Sequence, residues 1–144
     1  MSVHVSFSPP ITPAKLSRIQ SSIEALSRGE PDRWEVQIGV GGSDDRWTLT
    51  INGPQYHRRV YDVFGENRLE APYLSALVRT EIRAFPGTVP PDVAFALAEL
   101  AILGVPYDDS SLFDGHVEVN GWELDTTRLA ELYRREQLRS VLFS

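Results

Sequence analysis

The sequence predicts an α+β fold. The expected form is a single domain with an N-terminal strand, a three-strand antiparallel meander, about four helices and a C-terminal β-hairpin. Three observations lead there. Apolar residues alternate with polar ones at Val3, Val5 and Phe7, again across 34–40, and again across 47–51. Elsewhere they recur at helical spacing, as in Leu16, Ile19, Ile23 and Leu26. Late in the chain, Asn120-Gly121 sits between two alternating runs, the strongest short-range hairpin signal, because both turn positions need positive φ. With 144 residues, 42% of them apolar and 24% charged, the chain has the size and make-up of one globular domain.

The elements follow in order. Val3, Val5 and Phe7 make a short half-buried strand that Pro9 and Pro10 end. Thr12 and Pro13 read as N-cap and first helical residue, and Gly29 as the stop of that helix. Trp34, Val36, Ile38 and Val40 form one strand of a hairpin, Trp47, Leu49 and Ile51 the other, joined by a loop over 41–45. Asn52-Gly53-Pro54 is a second turn, and β-forming residues over 57–64 supply a third strand, which Gly65-Glu66-Asn67 breaks.

Pro72 opens a helix whose apolar face is Leu74, Leu77, Val78, Ile82 and Phe85, closed by Pro86-Gly87. Pro90-Pro91-Asp92 starts another. From Val93 to Leu103 only Glu99 is polar, so this helix is expected at the centre of the core, against the sheet. Residues 105–115 read as an exposed, turn-rich loop in which Phe113 belongs to the core. The hairpin 117–124 follows, then a helix over about 127–140 capped by Asp125 or Thr126, with Leu129, Leu132 and Tyr133 inward.

Charge is segregated along this chain. Residues 1–85 carry ten acids and ten bases; 86–125 carry eight acids and no base; 126–144 carry four Arg and two Glu. The formal charge of −6 is therefore set by one forty-residue segment. Such a balance bears on partners rather than fold. With no basic run, nucleic-acid binding is not expected, since phosphate contacts need clustered Lys and Arg. No apolar run is long enough to span a bilayer, and no secretory leader opens the sequence. There is no cysteine, which excludes disulfides and thiolate chemistry.

A two-residue turn at Asn120-Gly121 fixes the hairpin register. Val119 faces Trp122, Glu118 faces Glu123, Val117 faces Leu124 and His116 faces Asp125. One face is then apolar and the other carries His116, Glu118, Glu123 and Asp125. Directly opposed like charges cost a few tenths to about 1 kcal/mol, so something should offset Glu118 against Glu123. The candidates are a basic partner, an Arg from the last helix, or a divalent cation held with His116; the plain alternative is two solvated glutamates splayed into water. The preceding loop, with Tyr107, Asp108, Asp109 and Asp114, resembles a calcium loop only superficially, because Leu112 falls where an oxygen ligand is needed. Its acids beside an aromatic suit a protein interface better.

No phosphate loop, nucleophile elbow or completable zinc signature is present. No catalytic residue, metal or cofactor is expected. The expected function is that of an acidic binding protein contacting a basic protein partner through Tyr107, Asp108, Asp109, Asp114, His116, Glu118, Glu123 and Asp125. In size, acidity, lack of cysteine and α+β make-up the chain resembles, as a class, the immunity and antitoxin proteins that block bacterial toxins. That resemblance rests on no motif, and it implies a cytoplasmic location and a toxin-like partner. The alternatives are a secretion chaperone or adaptor, and a small enzyme or ligand-binding domain with a pocket between sheet and helices. The sequence leaves the oligomeric state open.

Overall fold

The fold is α+β, as the sequence predicts. A computed structural model describes residues 2–5, 13–26, 34–40, 46–65 and 68–142. Phe7, Pro9-Pro10, Thr12, Gly29, the 41–45 loop and the break at Glu66-Asn67 lie outside the described residues. Contacts within the chain gather in two compact units, Met1–Val78 and Arg79–Ser144.

The first unit holds β1 (Ser2–Val5), α1 (Pro13–Ala25), β2 (Glu35–Val40), β3 (Arg46–Asn52), β4 (Arg58–Phe64) and the first part of α2 (Ala71–Ala84). The meander β2-β3-β4 is antiparallel, with Val36 opposite Ile51 and Leu49 opposite Tyr61. The N-terminal strand extends it: β1 pairs parallel to β2, giving a four-stranded sheet of order β1-β2-β3-β4. A parallel pair needs a crossover, and α1 lies in it. Alternation buries Trp47, Leu49 and Ile51 on β3 and Tyr61 and Val63 on β4. On α1 the inward residues are Ile19 and Ile23, while Leu16 and Leu26 are half-buried. Leu74, Leu77 and Val78 of α2 are buried, and Lys15 pairs with Glu70 at 3.2 Å.

The second unit is built around α3 (Pro91–Ile102), which follows the end of α2. Six of its twelve residues are buried, and Val93, Ala96, Leu97 and Leu100 pack with Val117, Val119, Leu129 and Leu132. Each fully buried Leu or Val contributes about 1.5–3 kcal/mol. The all-apolar helix is thus the core of its own unit, against the three-stranded sheet of order β5-β6-β7 (Tyr107–Asp108, His116–Val119, Trp122–Asp125) and α4 (Thr126–Arg134). Gly104, at φ 78°, closes α3, and the Val105 N–H reaches back to the Leu100 carbonyl at 2.9 Å.

Three expectations are corrected here. The 105–115 stretch is no plain exposed loop: Tyr107–Asp108 is a strand, Leu112–Asp114 a 3-10 turn, and Leu112 and Asp109 are buried. Phe113 is 62% exposed and outside the core. The last helix is two. Glu136 adopts φ 55°, the Gln137 N–H bonds the Leu132 carbonyl at 2.8 Å, and a short α5 (Leu138–Leu142) starts afresh with Leu138 in the core.

One close approach in the first unit makes a glycine obligatory. A Cβ on Gly53 would lie 2.5 Å from Trp34, which is 2% exposed. A buried indole in a close-packed sheet has nowhere to retreat. Gly53→Ala should lower the unfolding free energy by about 1–3 kcal/mol in a urea titration.

Candidate functional site

The acidic segment is organised by the three-stranded sheet. The register of β6 and β7 is the one that Asn120-Gly121 dictates: Val119 opposite Trp122, Glu118 opposite Glu123, Val117 opposite Leu124 and His116 opposite Asp125. Both turn residues take positive φ, 51° and 84°. The strand β5 then adds two pairs, Tyr107 with Val119 and Asp108 with Glu118. Three carboxylates therefore stand in one row across three strands: Asp108, Glu118 and Glu123. Neighbouring strands lie about 4.8 Å apart, so the row spans roughly 10 Å. All three residues are exposed, while Val117 and Val119 between them are buried.

The row is not neutralised from within. Among the described residues neither Glu118 nor Glu123 makes an ion pair or a side-chain hydrogen bond. The arginines of α4, one of the offsets considered from the sequence, are engaged elsewhere. Arg128 and Arg135 reach Glu131 at 3.5 and 3.3 Å, and Arg134 reaches Asp92 at 3.0 Å. Asp108 is held differently. Its Oδ1 accepts from the Ser110 N–H at 2.9 Å and the Ser110 hydroxyl at 2.6 Å. Those two hydrogen bonds hold its carboxyl below the usual carboxylate range, with a smaller contribution from Arg79 and Arg83.

Directly behind Asp108, Asp109 points inward. It is 2% exposed, so the expectation that it faces a partner is corrected. Its carboxylate accepts a two-pronged pair from Arg79 of α2, Nε to Oδ2 at 2.7 Å and Nη2 to Oδ1 at 2.8 Å, and Arg83 Nε lies 3.7 Å away. A fork-on-fork arrangement is the strong form of an arginine–carboxylate contact, and it raises the Arg79 pKa further above its ordinary value. Sequence reading missed both arginines. Their four-residue spacing on α2, off its apolar face, was the available signal, but their partner lies thirty residues beyond Arg79.

The remaining predicted residues divide. Tyr107 is half-buried beside this pair, and burial, with the Asp109 charge adding to it, pushes its hydroxyl up to about 12. Asp125 is exposed but committed: its Oδ1 accepts the Arg128 N–H at 2.6 Å, capping α4. His116 lies opposite it, exposed. Asp114 is exposed at the end of the 3-10 turn, next to the exposed Phe113. Trp122, which the register sets on the apolar face of the hairpin, is 59% exposed at the start of the edge strand β7. Among the described residues no group of three or more His, Asp or Glu is gathered closely enough to hold a metal ion. What the site offers chemically is a set of exposed acceptors with two exposed aromatics, Phe113 and Trp122, interleaved among them in sequence.

The raised Tyr107 pKa has a consequence in alkali. Between pH 10 and about 12 the unfolded chain loses this proton while the folded chain keeps it, so stability present below pH 10 is lost as pH climbs through that window. Urea titrations should show a fall of roughly 2 kcal/mol attributable to this group. Tyr107→Phe should lack that part of the fall, whereas an identical pH profile for the variant would mean that Tyr107 ionises normally.

Comparison with protein-family models, with curated proteins and with solved structures finds no match for this chain.

Proposed function

We propose that this chain is a non-catalytic binding protein whose acidic three-stranded face neutralises a basic protein partner. Within that class we propose an inhibitor of a bacterial toxin, acting in the cytoplasm by occlusion, as immunity and antitoxin proteins do. The single observation that carries the reading is the Asp108–Glu118–Glu123 row, exposed and with no cation set against Glu118 or Glu123 among the described residues. Like charges directly opposed on a hairpin destabilise it. A surface that keeps such a cost is one whose charge is used between molecules.

Three features support the mechanism. Glu118 and Glu123, exposed and without an ion pair among the described residues, put net negative charge on this face, which speeds encounter with a basic cleft. Ser110 holds Asp108 in a fixed orientation, so less freedom is lost when a Lys or Arg engages it. Phe113 and Trp122 supply exposed aromatic area of the kind that anchors interfaces.

The test is affinity capture from cells of the source organism, with the wild type and with Glu118→Lys/Glu123→Lys as baits, each checked for folding by circular dichroism. The expected result is a basic protein retained by the wild type and lost from the variant. Equal retention of every captured protein by both baits contradicts the reading.

A further inference from the structure

The first unit carries a sheet edge that no described strand covers. The strand β4 ends the order β1-β2-β3-β4, and its ladder with β3 runs without a bulge from Arg46 opposite Phe64 to Asn52 opposite Arg58. Natural edges are commonly blunted by proline, a bulge or charged side chains; β4 has no proline and no bulge, and its charged residues, Arg58, Arg59 and Asp62, are of both signs. The Gly53 N–H bonds the His57 carbonyl at 2.8 Å, which sets the phase of the ladder. Residues 59, 61 and 63 turn their backbone groups toward β3, and residues 58, 60, 62 and 64 turn theirs away. The Phe64 carbonyl accordingly accepts from the Arg68 guanidinium at 3.2 Å, on the outer side. Among the described residues no backbone pairs with this outer side. Val60 is 47% exposed, Phe64 55%, and Tyr56 in the preceding turn fully so.

The outward-bonding residues are self-complementary in one register. Place a twofold axis at Val60 and run a second β4 antiparallel to the first. Val60 then faces Val60, Arg58 faces Asp62 at both ends of the pair, and the exposed turn at Tyr56 comes beside the exposed Phe64. Moving the axis one residue either way sets Val60 against a charge. Moving it two residues sets Asp62 against Asp62 or Arg58 against Arg58. Both charges can act this way, although Asp62 is already paired with Arg46. Asp62 accepts from Arg46 through Oδ1 alone, at 2.9 and 3.2 Å, and Arg58 has no ion pair among the described residues. We infer that the protein forms a homodimer in which β4 pairs with β4 of a second copy about Val60, joining two four-stranded sheets into one. This inference does not depend on the acidic face of the second unit.

The experiment is sedimentation velocity on the full chain over a concentration series, with folding of each variant checked by circular dichroism. The wild type should rise from 16.2 kDa toward twice that mass. Val60→Pro removes an outward N–H that β3 does not use, and should stay folded and monomeric. Arg58→Asp and Asp62→Arg should each weaken the dimer by about tenfold or more, because each sets like charges opposite one another. An equal mixture of those two variants should dimerise again, since each then meets its opposite charge. A wild type that stays monomeric throughout, a dimer untouched by Val60→Pro, or a mixture no better than its components would overturn the inference.

Discussion

The pairing of Asp109 with Arg79 is the constraint on which the acidic face depends. Strand β5 has only two residues, too few for a ladder to hold it by hydrogen bonds alone. The buried carboxylate of Asp109, gripped at 2.7 and 2.8 Å, ties that short strand to α2. Desolvating a carboxylate costs several kcal/mol and is offset only by good geometry, which the two-pronged contact supplies. The Arg79 side chain is 41% exposed, so solvent screens part of the attraction. Successive residues of a strand point to opposite faces. Within β5, Tyr107 lies opposite the buried Val119, so Asp108 is set outward and its register with Glu118 completes the row, while Asp109 anchors the position directly after the strand.

Seven of the eight acids of the 86–125 segment consequently divide by the work they do. Asp109 is an internal anchor. Asp92 pairs with Arg134 across α3 and α4, and Asp125 caps α4. Asp108 is oriented by Ser110. Glu118, Glu123 and Asp114 are left exposed with no such partner among the described residues. A block of one-sign charge thus separates into residues that build the unit and residues that charge its surface. The surface set is concentrated on one small sheet whose other side, Val117 and Val119, belongs to the core.

Much of this was legible in the sequence where the signal is local. Asn120-Gly121 gave the hairpin and its full register, because a two-residue turn admits one pairing. Alternation gave the meander, and Pro13 and Pro91 gave helix starts. What escaped reading depends on distant partners or weak local signals. Two residues are too few to show alternation, so β5 reads as loop. Asp109 reads as surface because its counter-charge lies thirty residues earlier. The break after α4 rests on Glu136 in a left-handed conformation, which a Gly or Asn would have advertised and a Glu does not. Residue type places Phe113 in the core, while the 3-10 turn buries Leu112 instead and leaves Phe113 exposed.

An acidic face that recruits a basic partner acts mainly on the rate of encounter. The most direct measurement is therefore the association rate of the wild type with its captured partner as ionic strength is raised. The predicted result is a steep fall in association rate with little change in dissociation rate, as long-range attraction is screened. An association rate indifferent to salt would contradict a role for the Asp108–Glu118–Glu123 row in binding.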